Sequence, residues 1–437
     1  MPARQKSGVI RRVIHDYLLL EMFEKMDKRD IASTLYRKVR EQQLRDFQSR
    51  MPESKQGVEF THNGITYIAA IRRLTPTECS RLQTVPVDYE FCTSETQQYR
   101  ALGNGWTIEV IKHILSFLPK EAKKSIKVLS LFDGMSCGQI ALNSIEANVT
   151  TYLASEIDKY AIANTMHNFP HTMQLGSVTD LNVGEIVKKY GVPDILIGGS
   201  PCQSFSFSGK MKGMSTKGGE EIYTLDRYME LKSQGFEFEG QSYLFWEYMR
   251  ILTELRKYNP NIYFLLENVK MLEKWERCLS HAIGVRGVHI NSALVSAQQR
   301  KRIYWSNIRI KQVGNGQLFS NEDDNDPFAW PKFTTDIPQP DDRGLVIKDV
   351  LQENVGEKYY LKDETTAKLI ERTDKNKLKD YLLEPQVSVD EVLEYMTTHS
   401  EYDDFTNEEK REIATLGYKL EKQRLKANNY GEGIFNG

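Results

Sequence analysis

The sequence predicts a doubly wound, mostly parallel α/β sheet with a smaller second region. Three observations predict it. Short apolar, β-rich runs alternate with helix-length segments between Lys127 and Leu266. Several of these runs stop abruptly in Gly, Asp, Glu or Asn, the residue types of ligand-binding turns. At 437 residues the chain is long enough for one large domain and a smaller one.

The elements follow in order. Lys127–Phe132 reads as the first strand, then a Gly-containing turn and a helix over Gly138–Ala147. Thr150–Ser155 is the second strand and Lys159–Asn168 the next helix. Thr172–Leu175, Val183–Tyr190 and Asp194–Ile197 repeat strand, helix and strand. Tyr243–Lys257 is a helix and Asn261–Leu266 a strand. From Val288 to Ile308 the alternation weakens, which predicts an antiparallel edge.

Strand ends in such a sheet gather on one edge, where ligands bind. The run ending at Ile197 leads into Gly198-Gly199-Ser200-Pro201-Cys202, which puts a thiol in a sharp turn. A cysteine there is a candidate nucleophile. The run ending at Leu266 leads into Glu267-Asn268, and two further ends supply Glu156 and Phe132-Asp133-Gly134. The glycine turn after a strand, with an acid about twenty residues on, suits a nucleotide whose ribose hydroxyls meet Glu156.

Seven blocks together resemble the DNA cytosine-5 methyltransferases. They are LSLFDGMSCGQIAL from Leu129, SEID from Ser155, GGSPCQSFSFSG from Gly198, LLENV from Leu265, QQRKRIYW from Gln298, RRLTPTECSRLQTVP from Arg72 and LGNGWTIEVIKHI from Leu102. The resemblance implies a Rossmann-like, S-adenosylmethionine-dependent fold. It also implies a reaction in which Cys202 adds to C6 of a flipped-out cytosine. Glu267 would meet N3, and Arg302 and Arg300 would stabilise O2. Phe132, Gly134, Glu156, Ile157 and Ser177 would hold the nucleoside end of the cofactor. Ser177 stands where an aspartate is commoner. Asn104, Gly105 and Trp106 would close the methionine end.

The last two blocks usually come last in this family and here come first, the order of a circular permutation. The expected division is then a catalytic domain over 61–310, with 61–118 completing it. A split recognition region would use 1–60, expected to be helical, and 311–437. The stretch 203–219 suits a mobile loop reaching DNA through Gln203, Ser204, Lys210 and Lys212. A helix over Asp30–Arg50 offers Arg37, Lys38, Arg40 and Arg45 to phosphates. Pro338–Leu361 resembles the usual start of the recognition region. Thr406-Asn407-Glu408-Glu409 reads as a capping box opening a polar helix to about Asn428.

Net charge is −2, unevenly spread: about +4 over 1–60, +5 over 61–314 and −11 over 315–437. The acidic end hides a basic body suited to double-stranded DNA. Five cysteines without a CxxC pair suit a reducing compartment and predict neither a disulfide framework nor a metal site. Cys79, Cys92, Cys137 and Cys278 read as packing residues, and Arg72, Glu78 and Arg81 as buried ion pairs that organise the fold. No apolar run is long enough to span a membrane, and the start MPARQKSGVIRR lacks a signal-peptide core. The expectation is a cytoplasmic monomer of a bacterial or phage-infected cell, serving restriction–modification or phage DNA protection, with a cognate restriction endonuclease as candidate partner. The alternatives are an RNA (tRNA) cytosine-5 methyltransferase and an inactive DNA-binding regulatory homologue.

Overall fold

A computed structural model describes residues 11–14, 28–50, 58–62, 65–201, 214–313, 326–372, 387–403 and 405–431. Cys202, Gln203, Ser204, Lys210 and Lys212 lie outside the described residues. The chain forms two compact units, one over Pro76–Leu351 and one combining Ala3–Thr75 with Gln352–Gly437.

The larger unit is built on a seven-stranded sheet. Its strands are β1 (Ile126–Leu131), β2 (Val149–Ser155), β3 (Met173–Gln174), β4 (Ile195–Gly199), β5 (Tyr263–Val269), β6 (Val288–Asn291) and β7 (Lys301–Ser306). They lie in the order β3-β2-β1-β4-β5-β7-β6. β1 to β5 run parallel, and β7 is antiparallel to both β5 and β6. The antiparallel edge expected after Val288 is this pair. The order reverses between β1 and β4, which opens the crevice of a doubly wound sheet at their carboxyl ends.

Alternation along the strands builds two cores. Leu129, Leu196, Phe264, Leu266, Ile303 and Trp305 face one way, against the helices Val183–Tyr190, Phe245–Arg256 and Glu273–Ile283. Val128, Ile195, Ile197, Leu265 and Tyr304 face the other way, against the helices Cys137–Ser144 and Ile108–Ser116. The second of these precedes β1 in sequence. Its Val110, Ile111, Ile114 and Leu115 are all 0% exposed. Each such burial is worth roughly 1.5–3 kcal/mol before ordering entropy is subtracted. The sheet's second face is therefore covered by chain from the amino-terminal side.

A buried polar knot fixes the same segment. Gln83 Nε2 donates to the Leu102 carbonyl (2.6 Å), and Thr107 Oγ1 donates to Gln83 Oε1 (3.0 Å). Gln298 Nε2 joins them at Gln83 Oε1 (3.1 Å). Every buried polar atom of this knot needs such a partner, so the RRLTPTECSRLQ and LGNGW blocks are locked to the QQRKRIYW block.

The unit boundaries fall at Pro76 and Leu351 rather than at 61 and 310. Strand Ile65–Ala70 pairs with Val58–His62 and Arg11–Ile14, not with the large sheet. Beyond 310, Ile310–Gln312 pairs with Phe333–Thr335, and Arg343 binds Glu109, which keeps that segment on the larger unit. Arg81 donates to the carbonyls of Val350 and Leu351.

The smaller unit joins the two ends of the chain. Helix Lys28–Arg50 packs Ala32, Leu35, Tyr36 and Val39 against Val392 and Met396 of helix Val389–Thr398, and against Ile413 and Ala414 of helix Asn407–Gly431. Gly417 permits the closest approach, since a Cβ there would stand 2.9 Å from the Ala32 carbonyl oxygen. Thr406 and Glu409 form the expected reciprocal cap. The amino-terminal stretch is not wholly helical, because Arg11–Ile14 and Val58–His62 are strands. Among the described residues no helix is long and apolar enough to cross a membrane.

Candidate active site at the carboxyl edge of the sheet

At the carboxyl end of β1 the backbone turns through left-handed conformations at Phe132 (φ 57°), Gly134 (φ 59°) and Ser136 (φ 64°). Two non-glycine residues held there store strain of the kind found at ligand sites. Asp133 pins the turn from below. Its carboxylate accepts from Ser136 Oγ (2.7 Å) and Tyr152 OH (2.8 Å). Burial pushes its pKa up to about 6, against the opposing pull of hydrogen bonds from Ser130, Ser136 and Tyr152.

Glu156, at the end of β2, accepts from the Gly134 N–H (2.8 Å) through one oxygen. Its other oxygen accepts from the N–H groups of Ile157 (2.7 Å) and Asp158 (2.8 Å). Ile157 is 71% exposed, an apolar side chain left open beside this carboxylate. Ser177 caps the turn Val178–Asp180, with Thr179 N donating to its Oγ. The turn is tied to the same edge where Ser155 Oγ donates to the Gly176 carbonyl (2.7 Å).

The other end of the crevice is built around Glu267, which is 8% exposed. Arg302 Nε lies 2.9 Å from one carboxylate oxygen, and Trp106 Nε1 donates to the other at 3.0 Å. Register explains the first contact: β7 enters the sheet antiparallel, with Arg302 opposite Val269 and Tyr304 opposite Glu267. Gly199 lies opposite Glu267 on β4. A Cβ at Gly199 would stand 2.8 Å from Trp106 Nε1 and 3.1 Å from Glu267 Oε2, so only glycine fits this contact. Asn268 then holds the next residue, donating to Ser200 Oγ (2.9 Å) and to its carbonyl (3.3 Å). The chain that leads to Cys202 therefore leaves the sheet from a fixed point.

The edge gathers Phe132, Gly134, Glu156, Ile157, Gly105, Trp106, Glu267 and Arg302. Gly105 packs beside Met135 and Cys137, and Asn104 is exposed next to it. The Arg300 guanidinium donates to the carbonyls of Gly103 (3.2 Å) and Gly105 (2.9 Å), on either side of Asn104 and next to Trp106. Arg40 is a correction. It is 8% exposed and paired with Glu421 (3.2 Å), because it lies on the same helix stripe as Ala32 and Tyr36. Arg37 is exposed. Cys92 is exposed as well, whereas burial pushes the thiols of Cys137 and Cys278 up to about 12. Asp133 and Asn268 were not assigned from sequence. Their signal is adjacency to Phe132 and Glu267, but the bonds from Tyr152 to Asp133 and from Asn268 to Ser200 join segments far apart in sequence.

The matches with known proteins follow these blocks. A family model described as C-5 cytosine-specific DNA methylase matches residues 2–120 and 126–285, well over half the chain. The chain is 30% identical over 287 residues to the orphan methyltransferase M.Rho11sI of Bacillus phage rho11s, covering 60% of this chain and 51% of that protein. It is 28% identical over 292 residues to the orphan methyltransferase M.SPRI of Bacillus phage SPR, covering 60% and 58%. The chain thus spans about half to three fifths of the length of these curated relatives. Similar solved structures include the S. pombe Dnmt2 methyltransferase (17% identity, 41% of this chain and 48% of that chain, TM-score 0.29). A Spodoptera frugiperda DNMT2 mutant is another (17% identity, 70% and 99%, TM-score 0.34). With Trp106, Glu156 and Glu267 all inside the matched segments, the chain belongs to the C-5 cytosine-specific DNA methylase family.

Proposed function

We propose that the protein transfers a methyl group from S-adenosylmethionine to carbon 5 of cytosine in double-stranded DNA, through a covalent adduct between Cys202 and a flipped-out base. The observation that carries this reading is Glu267, clamped by Trp106 and Arg302 beside Gly199, from which the chain runs on to Cys202.

The residues of the cofactor end fit S-adenosylmethionine. Exposed Ile157 and half-buried Phe132 offer apolar surface for a purine. Glu156 retains acceptor capacity for a ribose hydroxyl after its three backbone bonds, since a carboxylate offers about four lone-pair sites. Gly105 and Trp106 close the far end. When bound, the cofactor supplies an electrophilic methyl group.

Cytosine C5 is a poor nucleophile until a group adds at C6. The Cys202 thiolate forms the C6–S bond, and the ring's electron density moves to C5 and toward O2 and N3. Glu267 is held where it can share a proton with N3, and Arg302 stabilises charge at O2. Once C5 carries its new methyl group, a base removes the C5 proton, the C6–S bond breaks and the thiolate leaves. Duplex DNA must present the base outside the stack for this to occur.

The packing of Ile108–Ser116 and Trp106 into the sheet unit supports a circularly permuted catalytic domain, with the smaller unit as the recognition region. The names of the phage relatives, as orphan methyltransferases, favour phage DNA protection without a cognate restriction endonuclease. Residence as a monomer in the cytoplasm of a bacterial or phage-infected cell belongs to the same proposal.

Bisulfite sequencing of DNA from expressing cells tests the function. Protected cytosines at one short recurring sequence are expected. Complete conversion, together with methyl incorporation into tRNA but not DNA in a competition assay, would transfer the reading to RNA. Incorporation into neither would leave a binding homologue.

A further inference from the structure

Glu247, on helix Phe245–Arg256, is 0% exposed and is a carboxyl group that the proposed reaction does not use. It accepts from Tyr228 OH (2.5 Å), and its carboxylate is paired with Lys232 Nζ (2.5 Å) and Arg250 Nε (2.7 Å). A buried carboxylate with three donors is costly to assemble, and what its cations hold is the informative part.

The rest of the Arg250 fork donates to two main-chain carbonyls, Val178 (3.1 Å) and Leu181 (3.1 Å), and to Glu254 Oε1 (3.3 Å). Lys232 reaches the carbonyl of Thr179 between them (3.4 Å). These carbonyls belong to the turn capped by Ser177, directly after Gly176, which Ser155 ties to the edge beside Glu156. Gly176 faces open space at φ 79°. The turn thus lies beside the edge assigned to the cofactor, and it is anchored from behind by Arg250, which Glu247 orients.

We propose that Arg250, oriented by Glu247, is a positioning residue for cofactor binding. It sets the place of the 177–181 turn without touching the ligand. The inference rests on the cofactor assignment made above. Only a guanidinium can serve both carbonyls and the Glu247 carboxylate in one plane, because an ammonium is a point donor on a flexible stem.

Arg250→Lys keeps the charge beside Glu247 and loses the fork. Calorimetry with S-adenosylhomocysteine is expected to show binding weakened about ten- to 150-fold, the scale of one lost charged hydrogen bond. The KM for the methyl donor is expected to rise by a similar factor while kcat at saturating donor holds within about twofold. Lys232→Met, at a side chain 33% exposed, removes the weaker strut and is expected to cost about two- to fourfold. It carries the test if Arg250→Lys does not fold. Wild-type affinity for S-adenosylhomocysteine in the folded variant overturns the inference and leaves the function standing. A wild-type protein that does not bind S-adenosylhomocysteine overturns both.

Discussion

At the end of the crevice proposed for the cofactor, Glu156 is held by N–H groups of Gly134, Ile157 and Asp158, none more than 22 residues away in sequence. At the end proposed for the base, Glu267 is held by the side chains of Trp106, 161 residues earlier, and of Arg302 on a strand of opposite direction. The first carboxylate is fixed by local turn geometry, which forms whenever β1 and β2 pair. The second is fixed only once the amino-terminal segment has packed on the sheet and β7 has entered it. Lesions at the cofactor end should therefore cost roughly the interaction removed. Lesions at the base end should displace several groups at once.

The largest effect is expected at the thiol itself. Cys202→Ser differs by one atom and should lower turnover at least about a thousandfold, with S-adenosylhomocysteine affinity and melting temperature near wild type. Retained methylation by this variant would remove the nucleophile assignment.

Gly199→Ala tests the base end most sharply. The added methyl must push Trp106 or Glu267 away, and misplacement of a catalytic group by about 1 Å costs on the order of a hundredfold in rate. A kcat within threefold of wild type would mean that the Trp106–Glu267 contact is not needed for the chemistry. Cofactor affinity is expected to change much less.

Glu156→Ala is the matching lesion at the other end. Loss of charged hydrogen bonds should weaken cofactor binding by about 1.5–3 kcal/mol, while DNA affinity without cofactor stays near wild type. Unchanged cofactor affinity by calorimetry would refute the placement of the cofactor.

The smallest effect concerns Asp133. A carboxyl whose pKa is raised by folding contributes most to stability when protonated. That contribution is full below its unfolded value of about 4 and is lost as pH rises through the folded value, here about 6. Asp133→Asn should therefore flatten the fall in stability between about pH 4 and 6, an effect of roughly 1–3 kcal/mol. Melting curves across that range decide it, and an unaltered slope would mean that Asp133 does not titrate there.

The same contrast explains how much the sequence alone could tell. Strand, turn and acid at Phe132–Gly134 and Glu156 are local signals, and they read correctly as one edge. The helix cap at Thr406 was equally local, since donor and acceptor lie three residues apart. The Trp106–Glu267 bond has no local signature, and sequence pattern could place the two on one edge but not in contact. Arg300 and Arg302 look equivalent in QQRKRIYW. They separate only because Arg302 is inside β7, opposite Val269, while Arg300 precedes the strand and meets the Gly103 and Gly105 carbonyls. Arg40 was misread for a different reason. Ala32, Leu35, Tyr36 and Val39 already mark an apolar stripe at helical spacing, and position 40 falls on it.

Covalent trapping tests the central claim most directly. A duplex carrying 5-fluorocytosine at the methylated position cannot lose fluorine as a proton, so elimination fails after the methyl group has been added. Incubated with S-adenosylmethionine, the wild-type protein is expected to form a denaturation-resistant adduct, with mass spectrometry placing the nucleotide on Cys202. Methylation of ordinary DNA without any such adduct, or an adduct mapped to another residue, would contradict the account.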